Sequence, residues 1–259
     1  MDDGHLTGRG IWVARGGSGD RLLVLLHGMG ANASVWERLL PLIEGSWRGR
    51  WLAPDLRGHG RSVRDGPYGF GAHAADVAGL IEAEAPGPVT LVGHSFGGAV
   101  AALVASGWFG PRVHDVAAFG VKIAWTADEM DRAGELARRP TPVFATRDEA
   151  TARYLRISGL AGLAEASSAT AAAGVTGVDG RFQVAMDPRA YGAVGPSVED
   201  LLRLAEAPLR LAAGDRDPMV TLEQMRRVDP GARVFAGVGH NAHWEAPEQV
   251  WDFIAGGRP

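Results

Sequence analysis

From the amino terminus to about residue 121, short apolar runs alternate with stretches whose apolar residues recur every three or four positions. Short continuous apolar runs read as buried strands and the wider spacing as one face of a helix. Their alternation therefore predicts a mostly parallel sheet flanked by helices, an α/β architecture. Strands are expected over Ile11–Arg15, Arg21–Leu26, Trp51–Pro54, Val89–Val92 and Val113–Val121. Helices are expected over Ser34–Ile43, with Val35, Leu39, Leu40 and Ile43 at helical spacing, and over Ala72–Ala85, with Val77, Leu80 and Ile81 on one face. A third helix, rich in alanine, runs from Phe96 to about Ser106. Between Lys122 and Pro196 the rhythm dissolves into helical pieces (Asp128–Arg138, Asp148–Ile157), a short strand at Arg181–Met186, and a stretch from Ser158 to Gly180 rich in small residues. It then resumes with a helix at Val198–Ala205, a strand at Leu209–Ala213, a helix at Thr221–Val228, a strand at Arg233–Ala236 and a helix at Pro247–Ala255. An excursion of roughly 75 residues is long for a loop, and such excursions usually form lids or small subdomains. The expected organisation is a core of residues 1–121 and 197–259 with an inserted, mainly helical cap at 122–196. Glycines from Gly159 to Gly180 suggest that this cap is mobile.

Composition narrows the chemistry. A chain of 259 residues with 46% hydrophobic and 22% charged residues buries a large core and is not disordered. Its formal charge of −4 offers no basic excess for nucleic acid. The absence of cysteine excludes disulfides, thiolate metal sites and a cysteine nucleophile. The acidic start Met1-Asp2-Asp3 precedes no apolar stretch, and no run approaches the ~18 residues of a membrane span. The expectation is a soluble, cytoplasmic protein without cofactor or metal. It acts on a small molecule, with no nucleic acid or membrane as partner and a homodimer left open.

Gly93-His94-Ser95-Phe96-Gly97-Gly98 places a serine between a predicted strand and a predicted helix. Such a G-x-S-x-G turn exposes the serine hydroxyl at the end of the sheet, and the helix amides behind it favour a developing oxyanion. A serine nucleophile needs a base and the base an orienting acid. Two late strands end in Gly214-Asp215-Arg216-Asp217-Pro218 and Gly237-Val238-Gly239-His240, which supply candidates in the order serine, aspartate, histidine. Asp215 competes with Asp217, but Pro218 biases Asp217 toward an extended conformation. His243 competes with His240 and lies beside Trp244 and Glu245, where packing is its expected role.

Four blocks resemble the α/β-hydrolase superfamily over nearly the whole chain: His27-Gly28-Met29-Gly30, Asp55–Ser62, Gly93–Gly98, and Gly214–Val220 with Gly239–Glu245. The resemblance implies Ser95 as nucleophile, Asp217 as acid and His240 as base, with the backbone N–H groups of Met29 and Phe96 as the oxyanion hole. His27 and His59 are then loop braces, as is His94 by default. His94, Trp125 and Tyr154 are the candidate substrate contacts, with Phe144 and Leu155 as further pocket residues. Ser95 argues against the family's aspartate-nucleophile members. The implied activity is cleavage of an ester, lactone or thioester. Carbon–carbon bond hydrolysis and cofactor-free haloperoxidase or perhydrolase chemistry are alternatives on the same triad.

A rival reading comes from Gly28-Met29-Gly30-Ala31-Asn32-Ala33, which fits the G-x-G-x-x-A dinucleotide fingerprint. Asp55 follows it at about the spacing expected of a ribose-binding acid. That remote alternative, an oxidoreductase, leaves Ser95, Asp217 and His240 unexplained.

Overall fold

A computed structural model describes residues 4–84, 87–193 and 195–256. The start Met1-Asp2-Asp3 and the last residue of the expected Ala72–Ala85 helix lie outside the described residues. The strands are β1 (His5–Leu6), β2 (Trp12–Gly17), β3 (Leu22–Leu26), β4 (Arg50–Pro54), β5 (Val89–His94), β6 (Asp115–Phe119), β7 (Val143–Phe144), β8 (Val175–Val178), β9 (Arg181–Val184), β10 (Leu209–Gly214) and β11 (Arg233–Phe235). Eight of them form one sheet in the order β1-β2-β4-β3-β5-β6-β10-β11. Only the β1–β2 and β2–β4 pairings are antiparallel. β5 lies at the centre, paired in parallel with β3 on one side and β6 on the other.

The apolar runs sort by strand alternation into two layers. Leu22, Val24 and Leu26 of β3 face one core cluster, and Leu23 and Leu25 face the other. The first layer is covered by α2 (Phe70–Glu84), α3 (Phe96–Val104) and α7 (Val198–Arg203); the second by α1 (Leu40–Ser46) and α10 (Pro247–Ala255). The helix expected over Ser34–Ile43 is divided into a 3-10 turn at Ala33–Trp36 and α1. Pro41 explains the break. It lacks an N–H and suits the first turn of a helix rather than its interior. The apolar face is kept, since Val35, Leu39, Leu40 and Ile43 are all buried.

Between β6 and α7 the chain forms α4 (Ala127–Arg138), β7, α5 (Arg147–Ile157), α6 (Ala169–Ala173), β8, β9 and a 3-10 turn at Pro188–Gly192. The expected strand at Arg181–Met186 is the middle of an antiparallel sheet, β7-β9-β8. β8 and β9 are joined by a two-residue turn, with Asp179 at φ 46° and Gly180 at φ 72°. Asp-Gly is the residue pair that such a left-handed hairpin turn favours.

The segment from α5 to α6 is tied firmly to the core. Asn32 donates to the Tyr154 hydroxyl (2.8 Å) and to the Thr170 carbonyl (2.9 Å), and Asn241 donates to the Gly159 carbonyl (3.0 Å). These bonds run against the mobility suggested by its glycines, at least at the Gly159 end. α4 is different: it buries no residue and packs on the Pro188–Gly192 turn. No helix among the described residues is long and apolar enough to cross a membrane.

Candidate active site

The end of β5 carries Ser95, held at φ 52° and ψ −117°. A non-glycine residue in this left-handed region is strained, and such strain persists only where the surroundings impose it. The surroundings here are backbone. A Cβ on Gly93 would lie 2.4 Å from the Gly98 Cα, and one on Gly97 would lie 2.2 Å from the Leu26 carbonyl oxygen. Ser95 N–H donates to the Phe119 carbonyl at 2.9 Å, which fastens the turn to β6. Phe96 opens α3, so its N–H has no intrahelical acceptor. Phe70 stacks on the Phe96 ring (5.2 Å between centroids) and His73 meets it edge-on (4.9 Å).

The loops after β10 and β11 bring the second and third groups together. His240 Nδ1 donates to Asp217 Oδ2 at 2.8 Å. Asp217 Oδ1 accepts from the Met219 N–H at 2.9 Å, and its side chain has no exposure. With Nδ1 as donor to a carboxylate, Nε2 of a neutral His240 is the bare, accepting nitrogen. The competing Asp215 is engaged elsewhere, accepting from the Gly237 N–H (2.9 and 3.0 Å). Glu245 does the same for Gly239 (3.0 Å). Two carboxylates therefore brace the loop that delivers His240, while a third contacts its ring.

His94 is buried. Its Nε2 donates to the His240 carbonyl at 3.0 Å, and its ring lies 4.7 Å from His240 and 4.5 Å from His243. This contact braces the loop that carries His240. Burial lowers the pKa of His94 well below the ordinary histidine value, and the neighbouring His243 and His240 add to the effect. Burial, reinforced by His240, takes His243 down to about 3. Both neighbours of His240 are thus neutral and do not oppose a positive charge forming on it.

The loop after β3 passes against the elbow. A Cβ on Gly28 would lie 3.2 Å from the Ser95 Cβ and 2.9 Å from His94 Nδ1. Two buried histidines hold this loop. His27 donates from Nδ1 to the Gly28 carbonyl (2.8 Å) and accepts the Leu56 N–H at Nε2 (2.9 Å). His59 donates from Nδ1 to the Arg57 carbonyl (3.0 Å) and accepts the Gly30 N–H (3.1 Å). Desolvation lowers both pKa values, and His59 is further lowered by His27. The Met29 side chain packs against the cap cluster of Tyr154, Val175 and Val184.

Tyr154 is 1% exposed in that cluster, with its hydroxyl engaged by Asn32 (2.8 Å) and Thr170 (2.6 Å). Its side chain packs within that buried cluster. Trp125 is exposed just before α4, its Nε1 donating to the Lys122 carbonyl at 3.1 Å. Phe144 and Leu155 are partly buried against the cap cluster, and Leu155 also touches the second core cluster.

Asn241, the residue after His240, is a functional neighbour that sequence reasoning missed. It joins the base loop to the cap at Gly159, and no local pattern announces such a partner 82 positions away.

The dinucleotide reading fails on Asp55. Its carboxylate is fully buried, accepting the Ala33 N–H (2.6 Å) and the N–H and Nε of Arg61 (both 2.8 Å). The acid closes the Gly28–Ala33 loop from within and offers nothing to a ribose. No group of three or more histidine or carboxylate side chains among the described residues could hold a metal ion.

Curated relatives share local stretches with the chain. Lipase LipV of Mycobacterium tuberculosis is 42% identical over 89 residues, 33% of this chain and 32% of that protein. Pimeloyl-[acyl-carrier protein] methyl ester esterase of Edwardsiella ictaluri is 41% identical over 85 residues, 33% of this chain and 31% of that protein. Protein phosphatase methylesterase 1 of Pongo abelii is 32% identical over 143 residues, 53% of this chain and 37% of that protein. The chain thus spans about a third of the length of the curated relatives it matches. Among solved structures, an E-2-(acetamidomethylene)succinate hydrolase superposes with a TM-score of 0.78 at 23% identity, covering 95% of both chains. At that identity the likeness shows the fold. The model of the alpha/beta hydrolase family matches residues 23–253, and the chain belongs to that family.

Proposed function

We propose that this protein is a serine hydrolase that cleaves a carboxylic ester or related acyl bond (ester, lactone or thioester) of a small, partly apolar substrate. The observation that carries the reading is the 2.8 Å hydrogen bond from His240 to the buried Asp217, together with a serine strained at φ 52° at the end of the central strand, whose chain neighbour His94 has its ring 4.7 Å from that of His240. His240 Nε2 takes the Ser95 Oγ proton as Oγ bonds to the substrate carbonyl carbon. The carbonyl electron pair moves to oxygen, where the Met29 and Phe96 N–H groups receive it. Each donor of such a hole is worth ~10²–10³ in rate. Asp217 stabilises the imidazolium through Nδ1–H. The tetrahedral intermediate then expels an alcohol or thiol that takes the proton from His240, leaving an acyl-Ser95. Water attacks this acyl group by the same route and releases the acid.

The lipase and the two methylesterases among the relatives support an ester as the bond cleaved. A fluorophosphonate probe tests the reading. It should label the wild-type protein on Ser95 and fail to label Ser95→Ala. Labelling elsewhere, or none with an intact fold, overturns it.

A further inference from the structure

A groove of about 910 Å³ lies where the C-terminal end of α4 and the segment after β9 meet the loop carrying Arg64. Its lining includes four arginines, Arg64, Arg138, Arg139 and Arg189, and a single carboxylate, Asp187. In a chain of net charge −4 this concentration of cations runs against the overall balance. Ser95, Asp217 and His240 are not part of the lining.

Asp187 neutralises only one of the four. Arg189 Nη2 lies 2.6 Å from its Oδ2, and the Tyr68 hydroxyl donates to the same oxygen at 2.7 Å. Arg138 and Arg139 end α4 and form no ion pair with another described residue. The helix dipole accounts for a cation at that end, but not for Arg64, which sits on a separate loop. Arg64 donates from Nη2 to the Gly60 carbonyl (2.9 Å), while its Nε is buried with no partner among the described residues. Burial lowers the Arg64 pKa, so an anion beside its guanidinium is favoured.

Three guanidinium groups without carboxylate partners exceed what one carboxylate balances. They match a tetrahedral dianion, whose oxygens accept from several N–H forks at once. We propose that this groove binds a phosphate dianion, with Arg64, Arg138 and Arg139 as donors. The phosphate belongs either to the far end of a substrate whose acyl bond reaches Ser95 or to free inorganic phosphate. The first source rests on the acyl-hydrolase reading above. Groove wall and elbow are linked through packed residues. Met186 in the groove wall pairs with His59, which holds the Gly30 N–H beside Met29.

The test uses calorimetric titration with inorganic phosphate, against sodium chloride at equal ionic strength. It is paired with hydrolysis of a neutral p-nitrophenyl acyl ester and of the same ester bearing a terminal phosphate on its acyl chain. Saturable phosphate binding is expected in the wild type, weakened about tenfold or more in Arg138→Gln/Arg139→Gln and in Arg64→Gln. If the substrate is the source, the same variants raise KM for the phosphorylated ester about tenfold and leave the neutral ester within about twofold. Phosphate binding with no preference for the phosphorylated ester identifies free phosphate as the ligand. No binding beyond the chloride control overturns the assignment, as does equal loss on both esters. A protein inactive on both esters that still binds phosphate sinks the acyl-hydrolase reading alone.

Discussion

Glycines of the elbow and glycines of the β8–β9 hairpin serve different physics. At Gly93, Gly97 and Gly214 an added Cβ would come within 2.2–2.4 Å of backbone atoms, so no side chain can be accommodated without moving a strand. At Gly177 in β8 the nearest atom is 3.9 Å away, and at Gly180 nothing lies within reach. The core also holds all eight histidines of the chain, five of them buried with lowered pKa values, whereas the cap region holds none. The difference teaches that the core site is specified by close backbone approach and by neutral imidazoles wedged between loops. The cap is specified by ordinary helix caps, such as the reciprocal Thr126–Glu129 and Thr146–Glu149 pairs, and by a small apolar cluster. Chemistry should therefore be brittle to change in the core, and the β8–β9 hairpin should be tolerant.

The largest effect is expected at Ser95. Ser95→Ala should lower kcat on short p-nitrophenyl esters by about 10⁴-fold or more, at nearly unchanged melting temperature. Steady-state kinetics and calorimetry on the same sample check both halves. Next, Gly97→Ala should cost more than about 3 kcal/mol, the upper range for overpacking, because its methyl meets the Leu26 carbonyl and not a flexible side chain. Urea unfolding measures it, and a loss under 1 kcal/mol would break the contrast between the two regions.

Acid should act on the core. His73 and His243 are held near 3 mainly by burial, against an ordinary value of 6.5 in the unfolded chain. The unfolded state takes up the protons first, so their contribution is complete above pH 6.5 and is lost as pH falls toward 3. Each should remove about 2 kcal/mol between pH 7 and pH 5. Unfolding free energies across that range should show it, and His243→Phe should flatten the slope by one proton. The smallest effect is expected at Gly177→Ala, within about 0.5 kcal/mol of the wild type, since the added methyl meets only open space.

The reading from sequence succeeded where neighbours along the chain decide the outcome. The run Leu22–Leu26 has to be buried on both faces, and the serine between Val89–His94 and Phe96–Val104 has to turn sharply. β7 and β8 escaped because a two-residue strand and a Val-Thr-Gly-Val run carry little periodicity, although Asp179-Gly180 marked their neighbouring hairpin. Tyr154 could not be placed from sequence, because an aromatic residue on a short helix looks the same whether it faces a ligand or a buried cluster.

By itself the sequence determined the α/β class, the position of the elbow and the order of the three candidate groups, because each depends on residues within one strand, turn or helix. Only the tertiary structure decided that Asp55 closes a loop and that Asn241 holds Gly159, and it sets Asp217, which Pro218 favoured, rather than Asp215 against His240. Those outcomes depend on register. Pairing Gly214 with Phe235 sets which carboxylate after β10 reaches the histidine after β11, and a shift of one residue would turn every side chain to the other face.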